Sequence, residues 1–533
     1  MFDFKGLIHA LLRKKNGDPV GDLKSATIWV QELPKSDIAQ AQQEIVKALA
    51  SLNANPATSL KERIRVLRYL DEKALPLQET LCSEYLAAID EPSSPAHRHL
   101  PTILQFWEEM ANGYRLCLRV FAKMGGNAGI HKQIPLLTAK ALHFYAMQAK
   151  WSHLRYLPVE PGIWRQLHRL YLFAEQEKIE RAPLQLYAQQ DDTTCMAEYL
   201  RAMMLHLANP ASLLPAQIEM VDFWLDTWAR SLVIESAFRP HRQLYAVNLG
   251  DTKPAHKLRR NMLGEKYRYW GVGMLLITIA KVVERLKQGE SPASLKLSED
   301  CRLPDCFDLI DEIARRWGGQ GGARKHERTA AEKTLLAVQG FENIVAQMKG
   351  QHRASVSATC RAQDNALDGQ TVIPPSGEME LFEEVRRWQV ENESLSGYGI
   401  TFSRNGAAPL RIGALIGLKE SSAPALAIGI VRRISNEPPR RVRAGVQTLS
   451  QTPLLVALHP LPNEKGRPAS AIYLPELPKL QLGRSLLLPS ETYAQGKLVQ
   501  LRAQGKAYTI RLHSEVERGG DYVRSGFDVV AKH

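Results

Sequence analysis

The sequence predicts an α+β multidomain protein: an all-α helical bundle or solenoid over residues 1–317, then two β-rich domains over 318–450 and 451–533. Three observations carry this. From about residue 38 to 317, apolar residues recur at every third or fourth position, the period of an amphipathic helix. Gly318-Gly319-Gln320-Gly321-Gly322 then interrupts that texture as a flexible joint. Beyond it come short alternating or β-branched runs separated by turn-forming residues, the pattern of a sandwich or small barrel. At 533 residues the chain is too long for one hydrophobic core and suits about three to four domains.

Within the helical half, Ile45, Ala48, Leu49 and Leu52 form one face. Ile103, Phe106, Trp107, Met110 and Tyr114 form a second, and Ile163, Leu167, Leu170, Tyr171 and Ala174 a third. Met220, Phe223, Trp224 and Trp228 form a fourth. Breaks fall at Asn55-Pro56, Glu91-Pro92, Glu160-Pro161-Gly162, Ala182-Pro183, Asn209-Pro210 and Leu214-Pro215. Proline removes a helical donor and clashes with the preceding turn, so these positions delimit helices joined by short loops. Antiparallel pairs stacked as a bundle or solenoid follow.

In the β half, runs at 334–338, 388–390, 399–402, 414–418, 427–434 and 442–449 predict six strands of a first unit. Runs at 454–458, 471–474, 485–488, 496–501, 508–512 and 526–530 predict six more, in a second β-rich domain for which a barrel is one candidate form. A polar stretch near 349–385 reads as an insertion in the first unit.

Lys plus Arg number 69 against 56 Asp plus Glu, a net charge of +13 that favours anionic partners without choosing among them. Six cysteines, widely separated except for Cys301 and Cys306 and with no Cys-x-x-Cys, read as reduced thiols of a cytoplasmic protein. The apolar stretch near the amino terminus lacks the charge order and small-residue cleavage site of a signal peptide. The run Gly271–Ala280 is far short of the roughly 20 residues of a membrane span, so no membrane insertion is expected. His97 and His99 have no further ligands at useful spacing, and no metal is expected. No Gly-x-Ser-x-Gly, phosphate loop or His-Glu-x-x-His occurs, so the chain is not read as an enzyme. Lys253, Lys257, Arg259, Arg260, Lys266 and Arg268 cluster with Tyr267, Tyr269 and Trp270. This is read as a solvated helix with its cations reaching out to water, in preference to a nucleic-acid face.

Two features of the first β unit point to chemistry. Arg324 and Arg328 form an Arg-x-x-x-Arg directly after the glycine joint. Asn392, Ser394 and Gly397 form an Asn-x-Ser-x-x-Gly between two predicted strands. Arginine bonds phosphate or a guanine edge bidentately, and its planar face stacks on a ring. The Asn392 side-chain oxygen suits the N–H donors of a guanine edge, Ser394 adds a small hydroxyl, and Gly397 permits close approach. Arg115 with Arg119, and Arg165 with Arg169, repeat the arginine spacing inside predicted helices, where it means only a shared face.

This pair of motifs resembles the PilZ domain family of bacterial cyclic-di-GMP receptors. The runs after it fit as well: Gly399-Ile400-Thr401-Phe402, Ile412-Gly413-Ala414-Leu415-Ile416, Gly429-Ile430-Val431-Arg432-Arg433 and Ala444-Gly445-Val446-Gln447. The likeness covers about 130 residues. Arg328 and Asn392 stand 64 positions apart, wider than the family's usual spacing. The resemblance implies a PilZ-like β-barrel at 318–450, cyclic di-GMP as ligand with no cofactor, and binding by Arg324, Arg328, Asn392, Ser394 and Gly397. A sensor would follow in which the nucleotide acts on a helical domain that contacts a protein partner. The alternatives are a helical scaffold with a degenerate barrel that binds no nucleotide, and a nucleic-acid-binding protein.

Overall fold

A computed structural model describes residues 19–533 apart from 92, 125–128, 303–304, 321–325, 351–384, 405–408, 421–425, 462–465 and 504. It divides into two compact units between residues 323 and 324. The α+β class holds, with helices first and two closed six-stranded barrels after them.

Among the described residues, the first unit opens with α1 (Leu23–Gln31), α2 (Ile38–Ala54), α3 (Leu60–Ala87) and α4 (Leu100–Lys123). Asp22, Asp37 and Ser59 cap the first three, each side chain accepting from a backbone N–H three residues on. Then come α5 (Ile134–Leu154), α6 (Pro161–Gln176), α7 (Cys195–Leu207) and α8 (Pro215–Trp228). Apart from Pro92, which lies outside the described residues, the expected breaks fall between helices or at their first residue, because proline is tolerated where the helical N–H has no partner. Helix α5 packs against α4, α6, α7 and α8. It is accordingly buried on nearly every face, including Lys140 and Lys150, whose charges are met by Asp71 and Asp222 at 2.8 Å each.

Three expectations for this unit need correction. Residues 245–270 form an antiparallel sheet of β1 (Tyr245–Asn248), β2 (His256–Lys257) and β3 (Tyr267–Trp270), in the order β2-β1-β3, and no helix. Tyr269 and Trp270 are buried and Arg268 is bound to Glu175 at 2.8 Å, so the cluster offers no basic aromatic face. Phe223, expected on the apolar face with Met220, Trp224 and Trp228, is 51% exposed. Cys301 and Cys306 are joined as a disulfide, their Cα atoms 5.2 Å apart, because the start of α10 (Asp305–Trp317) folds back on the loop before it. Helix α9 (Gly273–Lys287) precedes that loop. Gly318 and Gly319 close α10: Gly319, at φ +73°, donates to Arg316 and Gln320 donates to Arg315, a Schellman cap. Among the described residues, no helix is long and apolar enough to cross a membrane.

In the second unit, β4 (Thr329–Gln339), β5 (Arg386–Ser394), β6 (Gly397–Ser403), β7 (Leu415–Glu420), β8 (Ala427–Glu437) and β9 (Arg441–Ser450) close in the order β4-β5-β6-β9-β8-β7. Strands β10 (Leu454–His459), β11 (Ala469–Leu474), β12 (Ser485–Leu488), β13 (Leu498–Ala503), β14 (Lys506–Arg518) and β15 (Val523–Lys532) close as β10-β11-β12-β15-β14-β13. Each barrel thus joins its six strands in the same sequence, with antiparallel neighbours throughout, and every predicted run overlaps one of them. Closure removes the exposed edges an open sheet would present. One apolar cluster is shared by both barrels: Leu415, Ile428 and Ile430 of the first meet Ile472, Leu487 and Tyr522 of the second. Residues 341–350 are helical and add Phe341 and Ile344 to that cluster. Most of the insertion expected near 349–385 lies outside the described residues.

Candidate functional site

A cleft of about 770 Å³ opens beside β5, β6, β8 and β9, well inside the range of small-molecule sites. Its floor is built by the Asn392–Gly397 segment. Ser394 pairs with Gly397, so the two-residue turn Leu395-Ser396 closes the β5–β6 hairpin. Gly397 has φ +153°, and a Cβ there would lie 2.0 Å from the Val446 carbonyl oxygen on β9. Only glycine fits. The Ser394 hydroxyl lies 3.2 Å from that of Ser396 and 3.4 Å from the Gly397 carbonyl oxygen.

One residue earlier the ladder is irregular, with the shift in register falling between Val390 and Asn392. The bulge leaves Asn392 opposite Gly399. Because Gly399 has no side chain, the Asn392 amide lies across it; a Cβ at 399 would meet Asn392 Oδ1 at 2.6 Å. Asn392 Oδ1 accepts from the Arg328 guanidinium at 2.9 Å. The two motifs, 64 positions apart, therefore meet at one point. Arg324 lies outside the described residues. Of the expected site residues, Arg328, Asn392, Ser394 and Gly397 all line the cleft.

The lining also carries charge that the motifs do not include. Arg432, Arg433 and Arg443 face the cleft together with His326 and Gln447. Strict alternation would send Arg432 and Arg433 to opposite faces of β8. The ladder slips between Val431 and Arg433, and both arginines line the same space. The sequence pattern includes both residues in the Gly429–Arg433 run, but nothing in it marks a bulge.

The cations differ in how far they are engaged. Arg443 is neutralised by Glu391 at 3.3 Å and Glu437 at 2.9 Å, and Glu391 also takes Arg441 at 2.8 Å. Arg432 donates to Gln447 at 2.7 Å and is paired with Glu517 of β14. Arg328 bonds only the neutral Asn392, and Arg433 has no hydrogen-bond or ion-pair partner among the described residues. Among the described residues, two guanidinium groups of the lining thus carry no ion pair, an arrangement suited to a ligand with two negative charges. Among the described residues no group of histidine, cysteine or carboxylate side chains is placed to hold a metal ion.

Comparison with known proteins places relatives at both ends of the chain. Residues 24–240 match the N-terminal domain of the cyclic-di-GMP receptor FimW, and residues 456–530 match the FimW C-terminal beta-barrel domain. The first barrel, with the cleft, lies between these two matches. The cyclic-di-GMP receptor FimW of Pseudomonas aeruginosa is 21% identical over 550 aligned positions, which cover 91% of this chain and 86% of that protein. From its helical half to its last barrel, the chain is similar to the FimW family of cyclic-di-GMP receptors.

Proposed function

We propose that this chain is a cyclic-di-GMP receptor that binds its ligand in the cleft of the first barrel, and that this barrel is a PilZ-like domain. In this reading residues 1–317, 318–450 and 451–533 act as three domains, and the helical one passes the signal to a protein partner. The observation that carries the reading is the Arg328–Asn392 contact, with neither Arg328 nor Arg433 paired to a carboxylate among the described residues. Each phosphodiester of the ligand takes one guanidinium. Asn392, released from Arg328 or shared with it, offers its oxygen to a guanine N–H. Arg324 joins as the second arginine of its motif. Similarity to FimW over most of both chains supports the same ligand.

The test is calorimetric titration of cyclic di-GMP into the full-length protein and into Arg328→Ala, Arg433→Ala and Asn392→Ala variants. Hydrogen bonds to charged groups contribute about 1.5–3 kcal/mol, so each arginine variant is expected to lose roughly 10- to 100-fold in affinity. No heat with the unaltered protein overturns the reading. Binding that all three variants leave unchanged moves the site elsewhere.

A further inference from the structure

The cleft is not built by the first barrel alone. Leu480, Gln481 and Leu482, in the connection between β11 and β12 of the second barrel, form part of its wall. We infer that this turn is a recognition element for the second purine base of the ligand, so that the second barrel completes the binding site and sets its base specificity. This rests on the reading of the cleft as a cyclic-dinucleotide site.

The turn is rigidly made. Leu477 and Leu482 exchange backbone hydrogen bonds of 2.8 and 3.2 Å, and Pro478–Leu480 form a single 3-10 turn between them. Gln481 adopts φ +56°, a left-handed conformation uncommon outside glycine, and is exposed. Its side-chain amide has no partner among the described residues. The flanking leucines are half-buried. Strain of this kind is held where the surrounding structure over-determines it, often at a ligand site. The second barrel is also anchored where the turn needs it: the Tyr522 hydroxyl donates to the Gly413 carbonyl at 3.1 Å, and Arg432 is held by Glu517.

The chemistry of a cyclic dinucleotide requires such a wall. It has two bases, and the Asn392–Gly397 side supplies acceptors for the edge of one. The other base needs an apolar surface for its face and a group that both donates and accepts for its edge. Leu480 and Leu482 provide the first, and a primary amide provides the second. Guanine and adenine differ in the polarity of that edge, so Gln481 discriminates between them while the leucines serve any purine.

Calorimetry on the full-length protein with cyclic di-GMP and cyclic di-AMP tests this. Gln481→Ala is expected to weaken cyclic di-GMP about tenfold and cyclic di-AMP less than about threefold, narrowing selectivity. A Leu480→Ala, Leu482→Ala double variant is expected to weaken both ligands to a similar degree. Wild-type binding with Gln481→Ala unchanged in both affinity and selectivity overturns the inference. Gln481 is an exposed turn residue, so this variant decides the matter even if the leucine variant is less stable. Absence of binding by the wild type instead overturns the receptor reading, and this inference with it.

Discussion

Arg432 of the first barrel is held in a bidentate pair by Glu517 of the second, with Nη2 3.0 Å from Oε2, while its Nε donates to Gln447. Arg432 faces the cleft, so Glu517 competes with any anionic ligand for it. Replacing Glu517 by glutamine removes the competing charge and raises the positive potential of the cleft by one unit. The expected result is cyclic-di-GMP affinity higher by about three- to tenfold, and more sensitive to salt, by calorimetry at two ionic strengths. Because Arg432 is 43% exposed, the effect on stability is expected to stay within about 1 kcal/mol. A fall in affinity would mean that Glu517 orients Arg432 and does not withhold it.

Gly397 is required by the backbone before any ligand arrives. Its φ is +153° and the Val446 carbonyl oxygen occupies the place of a Cβ. Gly397→Ala is therefore expected to lower stability by about 1–3 kcal/mol and to shift the urea midpoint without ligand present. Gly483→Ala is the control: nothing lies within 4 Å of its Cβ position and its φ is unremarkable, so the midpoint should hold. Equal effects at the two positions would remove the steric argument.

The strands of both barrels were legible because most runs are β-branched or alternate with a period of two, and turn-forming residues separate them. The small sheet at 245–270 was not, since strands of two to four residues carry too few positions to show a period. Asn392, Ser394 and Gly397 were legible as a motif, and the meeting of Arg328 with Asn392 followed from resemblance; spacing alone would not bring residues 64 apart together. The second arginine of the cleft was hidden for a different reason. A single extra residue at Arg432 cancels the alternation from which facing is read. The wall formed by Leu480–Leu482 depends on how two barrels share one core, a long-range relation with no local signal.

In the helical unit, Asp71 is buried and fully engaged. Its carboxylate accepts from the Tyr114 hydroxyl at 2.6 Å and the Tyr187 hydroxyl at 2.7 Å, and Lys140 lies 2.8 Å away over the Tyr187 ring. Burial holds the Lys140 ammonium below its usual range despite that carboxylate. Lys140→Met leaves the charge of Asp71 uncompensated and is expected to cost about 3–5 kcal/mol in urea unfolding. Adding Asp71→Asn is expected to restore most of the loss. Failure of the second substitution to recover stability would show that Lys140 acts through packing alone.

Acid should weaken the same unit through His153 and His206, whose ring centroids lie 5.5 Å apart. Burial, and then the like charge of His206, pushes His153 down to about 3; burial, and then His256, pushes His206 down to about 4. Among the described residues, His153 Nε2 and His206 Nδ1 have no hydrogen-bond partner to reward protonation. In the unfolded chain both rings titrate near 6.5, about three units higher for His153. Below pH 6.5 the unfolded state therefore binds protons that the folded state refuses, and stability falls as pH falls, by about 1.4 kcal/mol per pH unit for each histidine at the steepest. The slope fades as pH rises through 7 and is negligible above about pH 8, where both rings are neutral in both states. The measurement is the urea midpoint of the full chain between pH 7 and 4.5, with His153→Leu as the comparison. The variant is expected to show a shallower fall over that window whatever its stability at pH 7. An unchanged slope would mean that His153 is protonated in the folded protein and that its surroundings accommodate the charge.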